Sequence, residues 1–420
     1  MDDSEVLEAV DDEREKMLAL LQELVRIPSL GGSQHEVGIQ HQLVELMRGS
    51  GLETDVWEIP LARLTAEPDF PGAEVQRAQA LGVVARLPGS GRGPSLMFNG
   101  HVDVVPPGDL GAWTGGEPFS GTIANGQLFG RGACDMKGGL VAAMWALRAL
   151  QRAAPRLAGD VLLASVVGEE DGGLGSYGLL RRGWRADACV IPEPTGLDIV
   201  PATAGALTFR LRIRGHATHA SRRMEGESAL EHFWSVWQRL RALEQERNAE
   251  VDPLFRRWPM PYALSIGTVR CGDWASSVPD LLVAEGRLGV AVHESPAQAR
   301  AQFAASLTDV AHTDSWFVEH PVEVDWWGGQ FASGRLSADS DLVGRVRAAH
   351  ARAGGESEPE VWGAPYGSDL RLLTGIGGIP TLHYGPGDAG LAHGPNESVP
   401  LHEVESAART LALLSLDICR

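Results

Sequence analysis

Two short stretches, Leu81–Leu87 (LGVVARL) and 160–167 (DVLLASVV), are apolar almost without interruption. A strand that shows no polar face must be covered on both sides, which is the condition of a parallel or mixed sheet sandwiched between helices. The intervening segments supply those helices. Leu140, Val141, Met144 and Leu147 mark one face of a helix from Lys137 to about Arg152. Met17, Leu21 and Leu24 do the same for a first helix over 4–26, which Pro28 stops, and a second helix is expected from Gln34 to Arg48. Further strands are expected at 95–99, 187–191 and 379–384, and a closing helix around Val404, Ala407, Leu411 and Leu414. Residues 60–80 hold three prolines and no period, and read as loop. Strands alternating with helices define an α/β fold.

The pattern changes near residue 200. From 207 to 214, Leu, Phe, Leu and Ile alternate with Thr and three arginines, the mark of a strand with one wet face. Helices near 227–247 and 295–309 and strands near 262–270 and 281–291 follow. The organisation expected is a catalytic α/β domain in two pieces, 1–203 and 318–420, interrupted by an α+β domain over 204–317.

Composition narrows the function classes. Lys and Arg number 36 against 55 Asp and Glu, a net charge of −19 that repels phosphate backbones and anionic membranes. No nucleic-acid or membrane partner is expected. No apolar run reaches the ~18 residues a spanning helix needs, and the acidic start MDDSEVLEAVDDEREK lacks the form of a signal peptide. Four cysteines, too few for a disulfide scaffold, fit a reducing compartment, and a cytoplasmic protein is expected.

The chemistry-bearing residues cluster. His101 and Asp103 follow the strand at 95–99; Glu169 and Glu170 follow 160–167; Glu193 follows 187–191; His393 and Asn396 lie past 379–384; Asp135 stands at a helix entry within GRGACDMKGG. Ligands of open α/β sheets gather beyond the carboxyl ends of the strands, so these segments can converge. Two imidazoles with several carboxylates suit Zn²⁺, Mn²⁺ or Co²⁺ rather than an all-oxygen cation. Asp103, two residues from His101, is placed to accept the second ring N–H of that histidine.

The ordered set GHVDVVP, GRGACDMKGG, VVGEEDGG, PEPTG, GHATHAS and AHGPNE resembles, over almost the whole chain, the zinc hydrolase family of acetylornithine deacetylase, succinyl-diaminopimelate desuccinylase, the aminoacylases and bacterial glutamate carboxypeptidase. The resemblance implies a mixed-sheet zinc-exopeptidase-like catalytic domain with an inserted lid and dimerisation domain, two Zn²⁺ per subunit with Co²⁺ or Mn²⁺ as substitutes, and a homodimer. It implies that Asp135 bridges the ions, with His101 and Glu193 on one and Glu170 and His393 on the other. Glu169 would be the general base, the Asp135–Met136 peptide would be cis, and His219 would stabilise the oxyanion, reaching across from the partner subunit in dimeric members. The implied reaction is hydrolysis of an N-acyl amino acid or related small N-acyl amine. A metallo-exopeptidase and an N-formyl amine deformylase are the alternatives on the same fold, and a silent binding protein is disfavoured because every position is filled.

On the substrate side the chain departs from the carboxypeptidase branch, where an asparagine precedes a proline by three residues. Ser276 occupies that place before Pro279, and Arg287 follows two residues closer than the pattern expects. Arg371, in GSDLR, resembles a desuccinylase arginine that contacts a substrate carboxylate, a role suited to a guanidinium fork. Asn396 completes the substrate-side candidates.

Overall fold

The computed structural model describes residues 3–114, 117–153, 156–355 and 357–420. The chain divides into two compact units. The first runs to Ala202 and returns as Arg335–Trp362 and Ser368–Arg420; the second is Thr203–Gly334 with Gly363–Gly367.

The first unit is built on a mixed sheet. Its strands lie in the order Glu53–Glu58, Leu81–Leu87, Val161–Val166, Leu96–His101, Ala188–Ile191, Thr381–His383 and Ile199–Thr203. The run from Val161–Val166 to Thr381–His383 is parallel, flanked by antiparallel neighbours. Every residue of Leu96–His101 and of Val161–Val166 is buried, as strands covered on both faces require. Helix Gly138–Ala153 buries Leu140, Val141, Met144 and Leu147, and Leu401–Ile418 buries Val404, Ala407, Leu411 and Leu414 in the same core. Ser33 caps helix Gln34–Gly49 by accepting the Glu36 N–H.

The expected single helix over 4–26 is instead two, Asp3–Asp11 and Arg14–Val25. Between them Glu13 turns inward, and Arg148 Nη2 donates to it at 3.0 Å.

The second unit holds a four-stranded antiparallel sheet ordered Leu264–Cys271, Leu281–Val290, Gly205–Arg214, Glu323–Phe331. Leu207, Phe209, Leu211 and Ile213 are buried with Val236, Leu240 and Leu243 of helix Ala229–Arg247 and Phe303 of helix Pro296–Asp309. The alternating arginines face acids across the strands: Arg210 with Glu285 (2.6 Å), Arg214 with Glu323 (2.6 Å) and Arg212 with Asp325. The expected return to the first domain at 318 comes too early. Strand Glu323–Phe331 pairs with Gly205–Arg214, so the second unit keeps the chain to Gly334.

Candidate metal centre

The parallel strands deliver the site. His101 is the last residue of its strand, Glu169 and Glu170 stand just past Val166, and Glu193 stands two residues past Ile191. Asp135 lies in the turn leading into helix Gly138–Ala153, where the Asp135–Met136 peptide is cis as expected. His393 adopts a left-handed φ of 61° in the loop after Thr381–His383.

The two oxygens of Asp135 face different histidines. Oδ1 lies 3.1 Å from His101 Nε2, and Oδ2 lies 3.4 Å from His393 Nε2. A glutamate attends each histidine: Glu193 Oε1 is 3.9 Å from His101 Nε2, and Glu170 Oε2 is 2.9 Å from His393 Nε2. Glu169 also belongs to the cluster, with ligand-type atoms of His101, Glu169 and Glu193 all within 4.8 Å of one another. Its carboxylate therefore stands beside the expected ligands rather than apart from them.

This donor set fits divalent metal. Burial pushes the Glu170 carboxyl up to about 7, with the Asp135 charge adding to it. Burial likewise holds Glu193 and Glu169 well above the usual carboxylate range, against the opposing pull of His101. Buried acids crowded in this way are relieved by a multivalent cation, and the mixed imidazole–carboxylate chemistry is that of Zn²⁺, Mn²⁺ or Co²⁺.

The supporting contacts differ in one respect from expectation. His101 Nδ1 lies 2.9 Å from the backbone carbonyl of Asp103, whereas its distance to the Asp103 carboxylate is 3.7 Å. The ring is oriented by the main chain. The carboxylate instead binds backbone: Oδ1 accepts the Glu169 N–H at 3.3 Å and Oδ2 the Glu170 N–H at 3.2 Å. It holds the turn that carries both glutamates.

Two residues to which sequence pattern alone gives no role bind the other half. Glu397, fully buried, accepts the N–H groups of Cys134 (3.1 Å) and Asp135 (3.2 Å) on Oε1. Its Oε2 accepts from Arg131 Nη1 at 2.6 Å, and Arg131 Nη2 donates to the His393 carbonyl at 3.0 Å. Both lie inside the motifs GRGACDMKGG and AHGPNE, but nothing local pairs residues 266 apart.

The substrate-side candidates scatter. Arg371 is buried; Nη1 donates to Ser368 O at 2.7 Å and Nη2 to Gly172 O at 2.8 Å. Asn396 Oδ1 accepts the Thr114 N–H at 2.7 Å, and its amide donates to Ala112 O at 3.2 Å, tying two loops together. Ser276, Arg287 and His219 belong to the second unit and are exposed. Arg287 pairs with Thr208 in the sheet register. Ser276 O accepts the Ala220 N–H at 2.9 Å, and His219 Nδ1 accepts the Ser221 N–H at 3.2 Å.

Comparison with known proteins bears on this centre. The chain is 27% identical to an N-formyl-4-amino-5-aminomethyl-2-methylpyrimidine deformylase of Halalkalibacterium halodurans, across 99% of this chain and 97% of that protein. Over 216 residues, 49% of this chain and 51% of the other, it is 36% identical to a succinyl-diaminopimelate desuccinylase of Methylorubrum extorquens. Human carnosine dipeptidase 1 has the same fold, with a TM-score of 0.77 at 16% identity over 99% of this chain and 98% of that one. The family model for peptidase family M20/M25/M40 matches residues 97–417, a span that takes in every residue of the acidic cluster, and the chain belongs to that family.

Proposed function

We propose that this metal-dependent amide hydrolase cleaves a small N-acyl amine with two divalent ions, Zn²⁺ first, held about Asp135. The observation that carries the proposal is the division of the Asp135 carboxylate between His101 and His393, each with its own glutamate. His101 and Glu193 would hold one ion and Glu170 and His393 the other. When bound, such a pair polarises the scissile carbonyl and acidifies water.

Glu169 would take the proton from the attacking water and pass it to the nitrogen of the leaving amine as the C–N bond breaks. The products are a carboxylic acid and an amine. Asp103 would keep Glu169 and Glu170 facing the substrate by gripping their backbone N–H groups. Arg371 donates to main-chain carbonyls, which argues against a carboxylate clamp there and favours a short acyl group, formyl or acetyl, over succinyl. The similarity to the deformylase along the whole chain supports the same choice.

We assign His219 to the oxyanion, and the second unit to a lid and to pairing with another copy of the chain. Leu230, Trp234, Val269, Trp274 and Leu281 of that unit are exposed large apolar side chains, of the kind that pairing with another copy to form a homodimer would cover. Among the described residues no helix is long and apolar enough to cross a membrane. The four cysteines are unpaired, which favours the cytoplasm.

The test is a panel of N-formyl, N-acetyl, N-succinyl and dipeptide amides assayed with added Zn²⁺ or Co²⁺. Turnover of formyl or acetyl amides that disappears on chelation and returns with metal is expected. Full turnover in metal-free protein would sink the mechanism, and turnover confined to dipeptides would reassign the chain as an exopeptidase.

A further inference from the structure

The proline-bearing loop before strand Leu81–Leu87 contributes a residue to the centre's support. Arg77 lies within the first unit with only 2% of its side chain exposed. On one side it grips Glu36 of helix Gln34–Gly49, with Nε at 3.0 Å from Oε2 and Nη2 at 3.0 Å from Oε1. On the other it grips Asp171, with Nη1 at 3.0 Å from Oδ2 and Nη2 at 2.8 Å from Oδ1. Asp171 is the residue after Glu170. Its Oδ2 also accepts the N–H groups of Glu74 (3.1 Å) and Val75 (2.9 Å).

The loop is seated on the glutamate turn itself. A Cβ on Gly168 would lie 3.0 Å from Arg77 Nη2, and one on Gly172 would overlap the carbonyl of Gly72. Both glycines have positive φ, 68° and 154°. The turn is thus held from two directions, at its backbone by Asp103 and at its far side by Arg77.

We propose that Arg77 is a positioning residue for the Glu169–Glu170 turn, its bidentate grip on Glu36 and its ion pair with Asp171 fixing where the Glu169 and Glu170 carboxylates stand. The inference rests on the roles given above to Glu169 and Glu170. A guanidinium can hold two carboxylates in one plane, and an ammonium cannot.

The test uses the full chain with Co²⁺ as the probe metal. Arg77→Lys and Asp171→Asn are compared with wild type for Co²⁺ affinity by chelator competition, for the Co²⁺ visible absorption band, for kcat and KM, and for thermal midpoint. Asp171→Asn leaves the Arg77–Glu36 pair in place, so it tests the tie to the turn should Arg77→Lys fail to fold. Folded variants are expected to bind Co²⁺ about 10–100-fold more weakly, with an altered absorption band and a kcat lowered at least ~10-fold while KM changes little. Variants that lose only thermal stability, with unchanged Co²⁺ affinity, band and kcat in the folded protein, would overturn the proposal. Wild type that takes up no Co²⁺ would instead sink the proposed function, and this inference with it.

Discussion

Arg131 Nη1 donates to Glu397 Oε2 at 2.6 Å with both side chains almost fully buried. The same glutamate takes the Asp135 N–H, and the same arginine holds the His393 carbonyl. The pair therefore locks together the two chain segments that supply Asp135 and His393.

Removing one partner of a buried ion pair strands the other charge, at a cost of about 3–5 kcal/mol. Glu397→Ala is expected to lose stability on that scale in urea denaturation. Metal affinity should fall about 10–100-fold in the protein that remains folded. Unchanged affinity in folded Glu397→Ala would mean that Asp135 and His393 find their places without the pair.

Glu169 and Asp135 should separate in their effects. Glu169→Gln is expected to keep its metal by elemental analysis while kcat falls about 10²–10⁴-fold, the usual worth of a general base. Asp135→Asn should lose metal as well as turnover. Normal turnover in Glu169→Gln would remove it from the proton path.

Close backbone approach makes two glycines behave in opposite ways. A Cβ on Gly139 would overlap the carbonyl of Pro192, the residue before Glu193, whereas nothing lies within 4 Å of a Cβ on Gly344 in helix Leu342–Arg352. Gly139→Ala is expected to cost about 1–3 kcal/mol or more and to weaken metal binding by displacing Glu193. Gly344→Ala should stabilise by about 0.5–1 kcal/mol. Calorimetry on both variants decides it.

His383 gives a pH dependence that does not need the metal. It is fully buried, shares a 2.9 Å hydrogen bond with Ser368 Oγ, and burial pushes its pKa down to about 3. The unfolded chain takes up that proton near pH 6.5 and the folded chain does not. The neutral ring's contribution is therefore complete above pH 6.5 and is lost as pH falls from there toward 3, at about 1.4 kcal/mol per pH unit. The difference in urea stability between wild type and His383→Asn should shrink on that slope from pH 7 to pH 5. A constant difference would show that His383 charges in the folded state.

The sheet and the acidic cluster are legible in the sequence because both depend on local pattern. Apolar runs at Leu81–Leu87 and Val161–Val166 mark buried strands, and the positions of His101, Glu169 and Glu193 follow from where Leu96–His101, Val161–Val166 and Ala188–Ile191 stop. Contacts made across the chain leave no such trace. Arg77 comes from a segment without periodicity, and Arg131 meets Glu397 across 266 residues. Asp103 is visible as a neighbour of His101, but which of its oxygens faces the ring is decided by the backbone path between them. The far edge of the second unit is hidden because strand Glu323–Phe331 breaks register between Trp326 and Gln330 and so loses its alternation.

The order of the cluster along the chain has a consequence for biosynthesis. His101, Asp135, Glu169, Glu170 and Glu193 all precede the second unit, while His393 and Glu397 follow it. A nascent chain that has just finished Glu193 already carries one histidine and its acids, but it must still produce about two hundred residues, at the usual ~5–20 per second, before the second histidine exists. If His393 is the ligand proposed above, the ribosome holds half of that site for some ten seconds or more at that pace, and metal binding by the complete set would be among the last events in the maturation of the protein.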